Sequence, residues 1–323
     1  MKIPRASGGL SGYEMRLATI DVGTNTALLL ISEWTPEGLR VVHQAGGYVR
    51  LGEGLGTSGR VSDAAMGRLR GVLQAHREAA RSWRAEHIIV TGTSASRDAE
   101  NRDEIRKMVL EETGADYQVL SGEEEANVTF EGALAGWLDG RTYDGPVTVV
   151  DVGGGSTELA QGMWHKGKAE RTSAVSLNIG TVRLTENFFT AQPAQAHEVH
   201  QCRAWIAGMM DAALGDFLKC VPLVGASGTA HVLFHLHRTH REASGNMKWV
   251  DLDYWATELL IKTKEDIHAL APSRMAGRAD VFPAGVMVLK EAFRSLDASE
   301  FHISEYGVRH GMALRYFREL QIG

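Results

Sequence analysis

Short apolar runs alternate with longer amphipathic stretches along this chain, the pattern of strands and helices taken in turn. Residues 16–22 (RLATIDV) and 27–33 (ALLLISE) read as two strands joined by the polar turn Gly23-Thr24-Asn25-Thr26, with a third strand over 39–44. Ser62 fits the N-cap of a long helix reaching residue 86. The pattern then predicts a strand over 87–91, a loop over 92–97, a helix over 99–112 closed by Gly114, a strand over 117–120 and a helix from Ser121 to about 138. The second half starts with a strand over 147–152. Strands near 170–177, 222–224 and 301–304 follow, with helices near 181–189, 196–219, 228–239, 251–262, 264–270 and 283–295 and a last one from Val308. Strands and helices alternating without long linkers predict an α/β protein.

The opening repeats. ATIDVGTNTALLL (18–30) and VTVVDVGGGSTEL (147–159) share a strand, an Asp-Val-Gly corner, a polar turn and a second strand, and Asp21 and Asp151 lie 130 positions apart. That spacing is about one domain, so the expectation is two similar lobes whose turns face each other across a cleft. The expected division is a mobile tail over 1–14, a first lobe over 15–130 and a second over 131–323, with the final helix (309–323) free to pack back on the first.

Each turn has the makings of an anion site. Gly153, Gly154 and Gly155 let backbone approach a ligand closely, and their N–H groups with the Ser156 and Thr157 hydroxyls offer a concave set of donors. Gly23, Thr24, Asn25 and Thr26 offer the same in the first repeat. Asp21, Asp151 and Glu158 supply the hard oxygens that Mg²⁺ prefers. A glycine-rich hairpin turn is the plainer reading of either stretch alone. Gly225-Ala226-Ser227-Gly228-Thr229 makes a third strand-to-helix turn, with Gly228 at a helix N-terminus.

Ser121-Gly122-Glu123-Glu124-Glu125 starts a helix. Ser121 and Glu124 match a capping box, which gives Glu124 a structural task, and Glu123 reads as solvated. Glu125 is left over as an ionised carboxylate able to act as a general base, although acidic first turns are common in any helix. Arg97 has the planar guanidinium that suits a phosphoryl group; an ion pair with Asp98 or Glu100 is the alternative. His231 and His235 stand at i,i+4 without a metalloprotease pattern. The glycine-rich stretch 51–59 reads as a connector rather than a flap, and the arginines of the 62–86 helix as a solvated face.

Composition narrows the class. A net charge of −6 argues against general nucleic-acid binding, and two cysteines are too few for a disulfide framework. No apolar stretch is long enough to span a membrane, and the first residues lack the apolar core of a secretion signal. The expectation is a cytoplasmic protein with no membrane or nucleic-acid partner.

In order, DVGTNTALLL (21–30), TGTSASRDAEN (91–101), LSGEEEANVTFEG (120–132), VVDVGGGSTEL (149–159), NIGTVRL (178–184), VGASGT (224–229) and ISEYGVRHG (303–311) resemble the exopolyphosphatase/guanosine pentaphosphate phosphatase (Ppx/GppA) family of the actin–Hsp70–sugar kinase superfamily. The resemblance implies two ribonuclease H-like (actin-like ATPase) lobes around an interdomain cleft. It implies Mg²⁺-dependent (or other divalent cation) release of terminal phosphate from inorganic polyphosphate, or of the 5′ γ-phosphate from guanosine pentaphosphate. By motif, Glu125 is the catalytic glutamate, Arg97 the phosphate-binding arginine, Asp151 and Glu158 metal-associated acids, and Gly23, Thr24, Asn25 and 153–156 the phosphate loops. Asp21, equivalent to Asp151, is expected at or near the metal. Thr26-Ala27 replaces a commoner Ser followed by a larger residue, and Glu305 stands where Asp is usual. The chain resembles the short, two-domain type, for which a homodimer is one way to hold long polymer. A superfamily kinase and a (p)ppGpp or polyphosphate sensor without turnover are the rival readings.

Overall fold

The computed structural model describes residues 15–165, 168–241 and 245–322; the expected N-terminal tail lies outside them. The first half runs β1 (Arg16–Val22), β2 (Thr26–Thr35), β3 (Gly38–Tyr48), α1 (Leu55–Ser58), α2 (Asp63–Ser82), β4 (His87–Gly92), α3 (Ser94–Asp98), α4 (Arg102–Thr113), β5 (Tyr117–Val119) and α5 (Gly122–Trp137). The second runs β6 (Gly145–Val152), β7 (Thr157–His165), β8 (Lys168–Leu177), α6 (Thr181–Phe188), α7 (Ala196–Ala213), β9 (Leu223–Gly225), α8 (Gly228–His240), α9 (Trp249–Leu260), α10 (Lys264–Leu270), α11 (Pro272–Met275), α12 (Phe282–Ser295), β10 (Phe301–Ile303) and α13 (Val308–Ile322).

The internal repeat extends to topology. One five-stranded sheet has the order β3-β2-β1-β4-β5, and the other, read from its opposite edge, β8-β7-β6-β9-β10. β1 pairs antiparallel with β2 and parallel with β4; β6 pairs antiparallel with β7 and parallel with β9. Both central strands therefore deliver an Asp-Val-Gly corner to the same end of their sheet. Alternation along β1 sends Ala18, Ile20 and Val22 into a core with Leu69 and Leu73 of α2, while Leu17 and Leu30 pack with Met312, Tyr316 and Phe317 of α13. α5 sits on the second sheet through Ala126, Phe130, Ala133 and Trp137, and that sheet's other face meets α7, α8, α9 and α12. A cut at residue 130 falls inside α5.

Local signals place the helix ends. The Ser62 side chain accepts from the Ala65 N–H, and Gly114 closes α4 at φ 74°. The helix expected over 99–112 is interrupted, and part of the expected 92–97 loop is helical as α3. Asn101 explains the break: its side chain exchanges hydrogen bonds with the Val61 N–H (3.0 Å) and C=O (3.1 Å), and Ala99 is extended. The helix expected to reach 219 stops at Ala213, because the Gln161 amide holds both the Leu218 N–H (2.7 Å) and its C=O (3.0 Å). The 51–59 stretch is more than a connector. Leu51 and Leu55 are buried, the Gly52 N–H donates to Thr24 O (3.0 Å), and the Gly54 N–H donates to Glu186 Oε1 (3.1 Å). Among the described residues no helix is long and apolar enough to cross a membrane.

α5 and α13 cross at glycine. A Cβ on Gly311 would run into the Val128 carbonyl oxygen, and one on Gly132 into Gly307. Gly311→Ala is expected to overpack this crossing at a cost of about 1–3 kcal/mol. Thermal unfolding checks it, and an unchanged midpoint would show that the helices have room to part.

Candidate active site

The two equivalent turns are built alike and lie face to face. The Gly23 N–H donates to Thr26 O (2.8 Å), and the Gly153 N–H to Ser156 O (3.0 Å). A Cβ on Gly154 would come within 2.8 Å of Thr24 Cβ, and one on Gly155 within 2.5 Å of Ser94 Oγ, so only glycine permits this approach. Together they line a cavity of about 190 Å³. Its wall includes Asp21, Gly23, Thr24, Asn25, Thr26, Glu125, Asp151, Gly153, Gly154, Gly155, Ser156 and Gly228. With Thr93, Thr181 and Arg309 also in the wall, residues from all seven motif segments meet around one space.

Arg97 and Glu158 lie one layer behind that wall. Arg97 Nη1 donates to Glu125 Oε2 (2.5 Å) and to Leu120 O (3.0 Å), and Nη2 donates to Ser156 Oγ (3.3 Å). It pairs with neither Asp98 nor Glu100. Glu158, 2% exposed, takes hydrogen bonds on Oε1 from Ser156 Oγ (2.6 Å) and Ser176 Oγ (2.7 Å), with Arg97 Nη2 at 3.7 Å. The capping box forms as the spacing predicts, with the Ser121 N–H donating to Glu124 Oε2 at 2.8 Å. Glu123 is exposed as expected, and Arg171 donates to it at the surface at 3.2 Å.

The electrostatics are dominated by burial. Glu125 is only 7% exposed. Burial, then the Glu158 charge, push it well above the ordinary carboxylate range despite Arg97. The expectation of an ordinary carboxylate is corrected accordingly: Glu125 turns inward, while Ser121, Glu123 and Glu124 of the same helix start stay exposed. Burial raises Asp151 to about 8, reinforced by Glu158 and Asp21, and Asp21 to about 6, with Arg309 opposing. Asp151 and Glu158 are direct cross-strand partners, a like-charge pairing that is unfavourable unless compensated.

These residues fit a divalent cation. Asp21 Oδ1 is buried and accepts no hydrogen bond, and the wall offers hard carboxylate oxygens with too few cations to balance them. Among the described residues no three His, Cys, Asp or Glu side chains form a ready-made metal cage. The His231–His235 spacing does not make a site, because His231 Nε2 lies 2.6 Å from the Ser304 carbonyl oxygen.

Motif reasoning missed several cavity residues. Thr93, Ser94, Thr181, Arg278 and Arg309 line the wall. Arg309 Nη1 donates to Leu29 O (2.7 Å), and Arg278 Nε to Tyr48 Oη (3.2 Å). Arg309 stands within ISEYGVRHG; Arg278 follows α11 and Gly277, in a stretch outside the motif segments. Glu305 also lines the wall.

Two like sheets delivering phosphate-suited hairpins to a shared acidic cavity define an α/β protein of the actin-like ATPase fold. The chain belongs to the Ppx/GppA phosphatase family, whose pattern matches residues 30–319. It is 33% identical over 324 residues to exopolyphosphatase 2 of Mycobacterium tuberculosis, covering 93% of this chain and 98% of that protein. It is 29% identical over 301 residues to the guanosine-5′-triphosphate,3′-diphosphate pyrophosphatase of Aeromonas salmonicida, covering 91% of this chain and 58% of that longer protein. The crystal structure of an exopolyphosphatase from Cytophaga hutchinsonii superposes with a TM-score of 0.82 at 24% identity, over 96% of this chain and all of that one.

A stability prediction follows from Asp151. Its folded pKa of about 8 exceeds the unfolded value of about 3.9, so the native state holds the extra proton. The linked stability is complete below about pH 4 and is lost as pH rises through about 8. The metal-free protein is expected to melt lower at about pH 8.5 than at about pH 5, Asp151→Asn to flatten that difference, and Mg²⁺ to raise the wild-type midpoint most at the higher pH. Identical pH slopes for wild type and variant, with no effect of Mg²⁺, would contradict this account.

Proposed function

We propose that this protein hydrolyses the terminal phosphoanhydride of inorganic polyphosphate and releases orthophosphate. The observation that carries this reading is Glu125: a buried carboxyl in the wall of a cavity whose other sides are two amide-rich turns, held by the arginine that also reaches Ser156. Relatives named as exopolyphosphatases support polyphosphate as the substrate. Guanosine pentaphosphate is the second reading, supported by the relative from Aeromonas salmonicida.

In this mechanism the terminal phosphoryl group lies between the two turns. Their N–H groups, with the Thr24 hydroxyl, bind its oxygens, and Arg97, one layer behind the wall, orients Glu125 and Ser156 and adds positive charge near the phosphoryl group. Glu125 orients a water molecule and takes its proton as the water oxygen bonds to phosphorus. The anhydride P–O bond breaks and the shortened polyphosphate leaves. Asp21 and Asp151, with Glu158 behind them, would hold a divalent cation such as Mg²⁺, which when bound neutralises charge on the phosphate oxygens. Glu125 suits the base role because its raised pKa brings it closer to the working pH. A cytoplasmic location and use of a homodimer for long polymer belong to the same reading. A sensor without turnover leaves a buried, arginine-paired carboxyl in the cavity wall without a task.

Glu125→Gln is expected to lower orthophosphate release from polyphosphate by about 100-fold or more. Activity within a few-fold of wild type would remove Glu125 from the base role. The acid limb of kcat/KM against pH is expected above the ordinary carboxylate range, since activity requires deprotonated Glu125 and is lost as pH falls through its raised pKa. The limb belongs to the interacting acids as a group; full activity at about pH 4.5 would contradict a raised base.

A further inference from the structure

Helix α6 meets the 153–156 turn end on. The Thr181 N–H donates to Gly153 O (2.9 Å), and the Val182 and Arg183 N–H groups donate to Gly154 O (2.8 and 3.2 Å). The Arg183 side chain continues the series, with Nε donating to Gly155 O at 2.8 Å. Three consecutive turn carbonyls are thereby held on the α6 side. A trans peptide points its N–H opposite to its C=O, so the N–H groups of Gly154, Gly155 and Ser156 are turned away from α6. The fit leaves no slack: a Cβ on Gly180 would collide with the backbone of Gly154 and Gly155.

The same guanidinium reaches across to the first half of the chain. Arg183 Nη2 donates to Asp98 Oδ2 at 2.5 Å. Asp98 ends α3 and directly follows Arg97, whose own guanidinium holds Glu125 and Ser156. One turn further along α6, on the same face, Glu186 accepts the Gly54 N–H. Arg183 and Asp98 are both partly exposed, with side chains 28% and 39% accessible. An ion pair so placed adds little to stability; what it does add is a fixed relation between two parts of the site.

We propose that Arg183 is a positioning residue that aims the amide donors of the 153–156 turn and, through Asp98, sets the helix carrying Arg97 at the right distance from them. The proposal rests on the phosphoanhydride hydrolysis above and adds to it a bridge between the two halves that no motif role covers. Arg183 touches neither substrate nor water in this account and acts through Gly155 and Asp98.

The experiment compares Arg183→Met, Asp98→Asn and the double variant with wild type, using Arg60→Met, which breaks the exposed pair with Glu104, as the control. Arg183→Met is expected to lower kcat on polyphosphate by about 10- to 100-fold with a smaller change in KM, as misplacement of a reacting group does. The double variant is expected to be no slower than Arg183→Met alone, because the two residues share one contact. Hydrogen exchange of the substrate-free protein is expected to show faster exchange over 153–157 in Arg183→Met, with the unfolding midpoint near that of wild type. Arg183→Lys, which keeps the charge but not the two-way fork, is expected to fall between wild type and Arg183→Met; if the methionine variant does not fold, the lysine variant and Asp98→Asn carry the comparison. A kcat within about twofold of wild type, or losses that multiply in the double variant, overturns the proposal. So does unchanged exchange over 153–157. A wild-type protein that releases no phosphate from polyphosphate would sink the proposed function instead, and the exchange measurement would still decide the role of Arg183.

Discussion

Four carboxylates, Asp21, Glu125, Asp151 and Glu158, are brought close enough that burial and one another's charge shift their protonation, with Arg97 the cation hydrogen-bonded to one of them. An apolar core would not tolerate such a cluster, since unpaired buried charge is among the costliest things a fold can hold. The cluster is rational if the folded protein awaits positive charge and an anion together. A divalent cation would relieve the carboxylates, and a phosphate chain would then satisfy the cation and the amide-rich turns.

The rest of the architecture holds that cluster in place. Sheet duplication puts Asp21 and Asp151 at the ends of equivalent central strands, and glycines at 154 and 155 let the second turn press against Thr24 and Ser94. α5 and α13 cross through Gly132 and Gly311, so the helix that carries Glu125 in its first turn is fixed by packing near its middle. The 51–59 stretch and α6 close another side through the Gly54–Glu186 and Arg183–Asp98 contacts. A site assembled from both halves of a chain can depend on how those halves sit together, which is where Arg183 enters.

Much of this was legible beforehand because it is local. The Asp-Val-Gly repeat predicted two like sheets, and the capping box at Ser121 and Glu124 singled out Glu125 by leaving it without a structural task. What stayed hidden depends on distant contacts. Asn101 breaks a helix by bonding to Val61, 40 residues away, and Gln161 ends another by holding Leu218. Arg97 takes Glu125 rather than its neighbours Asp98 and Glu100, while Asp98 takes Arg183, 85 residues further on. Arg278 reaches the cavity from a segment with no phosphate-loop signal. The ordinary carboxylate expected of Glu125 in an acidic first turn differs for the same reason, because its burial, which raises its pKa, is set by the fold and not by the turn's composition.

The most direct test is orthophosphate release by the purified wild-type protein, from polyphosphate and guanosine pentaphosphate in parallel, with Mg²⁺ and with chelator. The account predicts rapid release from polyphosphate that is lost on chelation. Tight binding of polyphosphate without phosphate release in Mg²⁺ would contradict it and make the cavity a sensor's.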